Sequence, residues 1–264
     1  WLPSFDDYNE KVIFNTKITF ETGYEVISNG ILDNKTTTGK QTTWSYKMNQ
    51  PMSSYLVMMA IGKYTKKTEK SKSGVVLENY IRSVDASKYE STYQHNKRLF
   101  EFLEKQTGYS YPWQIYRNIP VEDFMYGGME NTTSTIFNSD YIVDAIGLND
   151  RSYLNVNAHE MAHQWFGNLI TAKTPKDHWL QEGFATYYAL LAERDINGVD
   201  SFYWKLYEMA ELIVKDDKAN KNTTVLSEKA TTTTYYQKGA WMLFYISTQI
   251  GEVNFNTAVQ NFLH

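Results

Sequence analysis

The sequence predicts an α+β fold, with antiparallel β structure over residues 1–85 and, over 86–264, a β-rich part and a mainly helical part, in one large domain or two modest ones. Three observations carry this expectation. Apolar and polar residues alternate through the first part of the chain, the apolar period lengthens to three and four from Ser87, and alternation returns between Tyr116 and Val143 ahead of a long helical stretch.

The opening strands are read from Val12, Phe14, Thr16, Ile18 and Phe20, and from Tyr24 and Val26 before the turn pair Asn29-Gly30. Trp44, Tyr46 and Met48, then Tyr55, Val57 and Met59, continue the pattern. Tyr93, Leu99, Phe100 and Leu103 share one stripe, which predicts a helix over 89–106 ending at Gly108. The β-rich section 116–143 contains Gly127-Gly128, and an edge strand there would let an extended peptide pair with it. Leu154, Ala158, Met161, Trp165 and Leu169 predict a helix over 155–169 with one buried face. Leu180, Phe184, Tyr187, Tyr188 and Leu191 predict a second, followed by a helix over 200–217, a polar loop over 218–235 and helices from Gln237 onwards. The β-branched run Thr231 to Thr234 is unsuited to starting a helix, so Tyr236 is expected at a loop-to-helix junction. There are no internal repeats.

Composition narrows the function classes. At 42% apolar residues and a net charge of −4, the chain has ample material for a core and reads as soluble. Neither charge sign clusters in the way nucleic-acid binding requires; the basic stretch Lys63 to Lys72 is interleaved with Glu, Ser and Thr and reads as a solvated loop. No apolar run is long enough to span a membrane. Cysteine is absent, which removes thiolate metal sites and leaves the compartment open between cytoplasm and periplasm or secretion. The chain opens at Trp1 with neither initiator methionine nor signal-like segment, so a cut or processed end is expected. Asn34, Asn131 and Asn222 each begin an N-x-Thr sequon, read here as chance matches.

The chemistry is concentrated in His159-Glu160-Met161-Ala162-His163, with eighteen residues between its second histidine and Glu182. Positions four apart on a helix stand roughly 5–6 Å from each other at Cβ, so two imidazoles can converge on one Zn²⁺. Glu160 points about a quarter-turn away, beside the metal, where a carboxylate can take a proton from an attacking water. Glu182, on the next predicted helix, is the candidate third ligand, and two histidines with one glutamate leave an open position, the mark of a catalytic zinc site. His178, between Asp177 and Trp179, is read as a helix-start residue with no metal role; His95 and His264 carry none either.

Four stretches in order, YGGMEN at 126–131, HEMAHQWFGNLIT at 159–171, WLQEGFATY at 179–187 and YQKGA at 236–240, resemble the M1 zinc aminopeptidases, or gluzincins. WLPSFDDYNEK at the start and MSSYLVMMAIGKY at 52–64 extend the likeness over essentially the whole chain. The resemblance implies that 1–85 is the end of a saddle-like N-terminal β domain and 86–264 a thermolysin-like catalytic domain, truncated at its end. It implies one Zn²⁺ per chain on His159, His163 and Glu182, with Glu160 activating water and Tyr236 donating to the oxyanion. Glu130 would bind the free α-amino group of a peptide substrate, Gly127, Gly128, Met129 and Asn131 would line the substrate site, and Tyr126 would border the pocket for the first side chain. The parent enzyme's flanking domains, one before Trp1 and a helical one after His264, would be missing from this chain.

Some positions depart from the family. Many relatives have alanine where Gly128 stands; GGMEN resembles the leukotriene A4 hydrolase branch, yet Thr231 replaces the tyrosine tied to that branch's epoxide chemistry and so argues against epoxide hydrolysis. Ala189 stands seven residues after Glu182, where relatives often have a glutamate, so another group must fill any role behind the ligands. Two further classes stay open: a silent peptide-binding module, and an endopeptidase of the thermolysin kind that would cleave N-terminally blocked peptides.

Overall fold

The computed structural model describes residues 2–5, 7–219, 221 and 223–264; Trp1 and the sequon residue Asn222 lie outside the described residues. The chain forms two compact units, one of residues 1–97 with 113–156 and the other of 98–112 with 157–264.

In the first unit, β1 (Lys11–Val12) pairs with β6 (Met52–Ser53). Strands β2 (Asn15–Glu21), β4 (Ile31–Thr38) and β5 (Gln41–Lys47) form an antiparallel sheet in the order β2-β5-β4, while β3 (Glu25–Ser28) pairs with β7 (Met59–Gly62). The predicted alternation is physical: Thr42, Trp44 and Tyr46 of β5 turn inward, and Trp44 and Tyr46 pack with Val26, Ile18, Phe20 and Ile61.

A five-stranded sheet follows, made of β8 (Tyr64–Lys70), β9 (Val76–Arg82), β10 (Ile115–Val121), β11 (Gly128–Met129) and β12 (Ser134–Asn138) in the order β11-β12-β10-β9-β8. Its centre is parallel, β9 with β10 and β10 with β12, and this departs from the purely antiparallel reading of residues up to 85. Parallel strands are covered on both faces, so they do not show a two-residue period. The three central strands are accordingly buried along almost their whole length, and Asn79, Asn96 and Asn118 pair their amides with one another inside.

The predicted helix 89–106 is two helices, α1 (Tyr89–Tyr93) and α2 (Asn96–Thr107), and the chain leaves α2 at Gly108 with φ +65°. Helix α3 (Leu154–Ala162) ends seven residues before the expected Leu169. Gly167, at φ +131°, reverses the chain, and its N–H bonds Ile170 O while Ile170 N–H bonds Trp165 O, so the backbone groups are satisfied by a turn instead of by helix.

The second unit is built on α4 (Trp179–Asn197), α5 (Val199–Lys218), α6 (Gly239–Ile250) and α7 (Glu252–Leu263). Most of α4 is buried all round, which marks it as the central helix. The threonine run does enter helical geometry, at Thr232, against expectation. Thr231 supplies the missing cap: its Oγ1 accepts from Thr234 N at 3.4 Å. A π-helical turn over Thr234–Lys238 then leads into α6. Among the described residues no helix is long and apolar enough to cross a membrane.

Candidate active site

Helix α3 presents His159 and His163 on one face, as the spacing requires; His163 N–H still bonds His159 O at 3.1 Å although the α-helix proper has ended. Helix α4 brings Glu182 to them. Glu182 Oε2 stands 3.3 Å from Nε2 of each histidine, and the two Nε2 atoms are 3.0 Å apart. All three side chains are largely buried.

This triangle fits a metal. Four ligands set tetrahedrally about zinc at their usual bond lengths stand about 3.3 Å from one another. Oε2 of Glu182 is buried without a hydrogen-bond partner despite its closeness to both rings, the state of an anionic oxygen that a cation would satisfy. His163 Nδ1 lies 2.8 Å from Phe166 O, which fixes Nδ1 as the protonated nitrogen and leaves the Nε2 lone pair for a metal. A Cβ at Gly167 would come within 3.2 Å of that Nδ1, so the residue that turns the chain also leaves room for the ring.

The electrostatics agree. Burial pushes the Glu182 carboxyl up, but the adjacent His163 imidazole and contacts from His159, His163 and His178 outweigh it and hold the group well below the usual carboxylate range. Glu182 is therefore an anion. Glu160, also buried, has a carboxylate oxygen within 4.8 Å of a His163 ring nitrogen, beside the ligand triangle and outside it.

Tyr236 lies on the π-helical turn with its ring stacked against His159, centroids 5.5 Å apart and planes 13° from parallel. A close backbone approach puts it there: a Cβ on Gly183 would meet Gly239 Cα at 3.0 Å, and one on Gly239 would meet Gly183 Cα at 3.0 Å. His178, given no metal role from sequence, does stand at the start of α4, and its Nε2 lies 3.4 Å from Glu182 Oε1. The signal was present in the four-residue spacing of the two positions.

In the first unit, the YGGMEN element makes β11, the edge strand of the five-stranded sheet, with Gly128 opposite Phe137 and Met129 opposite Ile136. Gly127 O accepts from Asn138 N, and a side chain at Gly127 would crowd the Tyr141 hydroxyl at 3.3 Å. Tyr126 is exposed and meets Phe124 edge to face. Glu130 is buried, with the Tyr55 hydroxyl 3.4 Å from its Oε1. Asn131 is buried too and donates to Leu56 O at 3.2 Å.

Sequence reasoning missed what anchors this element. Asn29 donates through Nδ2 to Leu56 O (3.0 Å) and Thr132 O (2.7 Å) and accepts Met58 N–H at Oδ1 (2.8 Å), while Gly30 N–H bonds Thr133 Oγ1 at 2.8 Å. Thr133 sits at φ +69°, a strained conformation for a β-branched residue that these bonds hold in place. The Asn29-Gly30 turn signal is the part of this that the sequence carries.

The Peptidase family M1 domain profile matches residues 91–264. Glutamyl aminopeptidase of Bos taurus is 27% identical over 288 residues, covering 99% of this chain and 29% of the relative. Leucyl aminopeptidase of Saccharolobus solfataricus is 29% identical over 276 residues, covering 100% of this chain and 35% of the relative. The chain thus spans about a third of the length of these curated relatives. The crystal structure of an M1 zinc metallopeptidase from Deinococcus radiodurans shares the fold at a TM-score of 0.80 with 19% identity, over 100% of this chain and 58% of that one. Since the profile matches well over half of the residues, in the stretch that carries both histidines, the two glutamates beside them and the stacked tyrosine, the chain belongs to peptidase family M1.

Proposed function

We propose that the protein is a zinc-dependent aminopeptidase that removes N-terminal residues from peptides by attack of water on the first peptide bond. The observation that carries this reading is the mutual approach of His159 Nε2, His163 Nε2 and Glu182 Oε2 to 3.0–3.3 Å, with Glu160 beside them. These three residues would hold one zinc ion, which when bound supplies Lewis acidity and makes water acidic enough to ionise near neutral pH.

The chain's own groups do the rest. The Glu160 carboxylate takes the proton from the attacking water and passes it to the leaving amine. The Tyr236 hydroxyl donates a hydrogen bond to the carbonyl oxygen as it gains negative charge, an interaction worth most in the transition state. Glu130 accepts the substrate's α-ammonium, which confines cleavage to the first bond. As the edge strand of its sheet, β11 is suited to pair with an extended peptide, with Gly127, Gly128, Met129 and Asn131 lining it and Tyr126 bordering the first side chain. The names of the aminopeptidase relatives agree with this reading. The family match beginning at residue 91 supports drawing the catalytic domain over 86–264, after a β domain over 1–85. Further domains of a longer parent protein would flank the chain.

A panel of aminoacyl anilides, assayed with and without a chelator, tests the activity. Free-amine substrates are expected to turn over and their N-acetylated forms to resist. Equal cleavage of the acetylated forms would replace this reading with an endopeptidase, and metal-free protein with no turnover of either would replace it with a binding module.

A further inference from the structure

We propose that His178 is a positioning residue for the metal centre, whose Nε2 holds Oε1 of Glu182 so that Oε2 alone is presented to the metal. The inference rests on the zinc site proposed above. Its Nε2 stands 3.4 Å from Oε1, and the two residues are one helical turn apart with Glu182 N–H bonded to His178 O at 3.2 Å, so backbone geometry alone keeps them on one face. Glu182 is buried, and a carboxylate that ligates through one oxygen leaves the other in a dry environment in need of a donor. The imidazole Nε2, 3.4 Å from Oε1, is within reach to be that donor.

The histidine is itself held from two sides. Thr174 and Asp177 cap each other, with Thr174 Oγ1 and N donating to Asp177 Oδ2 at 2.7 and 3.1 Å, and this fixes the Pro175–Asp177 turn that delivers His178 to the start of α4. The Tyr235 ring meets the imidazole edge to face, centroids 5.1 Å apart at 88°. Tyr235 immediately precedes Tyr236, so one π-helical turn sets both the ring behind Glu182 and the hydroxyl proposed for the oxyanion. Ala189, buried two turns further along α4, brings only a methyl group and cannot share this task.

The test is zinc affinity, measured by competition with a chromophoric chelator, together with the half-life of zinc loss to EDTA. His178→Phe and His178→Leu remove the donor at two different sizes, and His178→Gln restores one. Both apolar variants are expected to raise the zinc dissociation constant about 10–100-fold, with matching faster loss, and His178→Gln to recover part of the difference. Thermal melts of the metal-free proteins check that each variant is folded. Unchanged affinity in a folded apolar variant, or an equal loss in His178→Gln, overturns the proposal. His163→Ala separates the two readings: if it too keeps wild-type affinity, the zinc site itself is wrong, whereas if it loses zinc and His178→Phe does not, only the role of His178 falls.

Discussion

Gly183 and Gly239 meet backbone to backbone, each leaving only 3.0 Å between the other's Cα and the place where its own Cβ would stand. Gly183 follows the proposed ligand Glu182, and Gly239 comes three residues after Tyr236, so this crossing of α4 and the start of α6 sets the spacing between ligand and hydroxyl. Alanine at either position gains about 1 kcal/mol of helix propensity but forces two backbones apart, an overpacking that costs about 1–3 kcal/mol. We expect Gly183→Ala and Gly239→Ala to lower Tm by a few degrees and to reduce kcat more than they change KM. A variant with wild-type kcat would show that the crossing does not govern the site.

Glu160→Gln keeps the shape of the side chain and removes its basicity. Turnover should fall about 10²–10⁴-fold while zinc content, measured by metal analysis, stays at the wild-type level.

Tyr236→Phe preserves the ring that stacks on His159 and removes only the hydroxyl. Its kcat should drop about 10²–10³-fold with little change in KM, because the lost bond belongs to the transition state. A rise in KM at constant kcat would place the hydroxyl on the substrate instead.

Asn29→Ala deprives Thr132 O and Met58 N–H of their Asn29 partners, at roughly 1–3 kcal/mol for each group left unpaired, while Leu56 O keeps its bond from Asn131. Since these bonds hold the segment that follows Glu130, the KM of free-amine substrates should rise more than kcat falls. Steady-state kinetics alongside denaturant melts distinguishes this from simple instability.

Arg117 donates through Nε to Glu78 Oε2 at 2.7 Å and through a terminal nitrogen to Gly30 O at 2.6 Å, all in the buried centre of the first unit. Burial pushes Glu78 up, but Arg117 and Lys66 together hold it below its ordinary value of 4.5. A depressed carboxyl stabilises the fold above that ordinary value and loses its contribution as pH falls through the folded one. Stability should therefore decline below about pH 4.5, and Glu78→Gln should flatten that acid limb in chemical melts. Arg117→Leu, which strands the carboxylate, should cost about 3–5 kcal/mol at neutral pH.

Whatever depends on local spacing can be read from the residues alone. A four-residue spacing, close to the 3.6-residue helical turn, put His159 and His163 on one face, and two-residue alternation folded β2 and β5 with Trp44 and Tyr46 inward. Helices α4 and α5 were legible from their apolar period to within a few residues. Tertiary structure decided what lies far apart in the chain or conflicts with local preference. The stop of α3 at Ala162 follows from the Gly167 reversal, and the entry of the threonine run into a helical turn follows from the Thr231 cap. The parallel pairing of β9 with β10 and the anchoring of Thr132 by Asn29, 103 positions away, have no local signature. The approach of Glu182 and Tyr236 to the two histidines likewise depends on a backbone contact between two glycines, which no periodicity encodes because it consists of side chains that are absent.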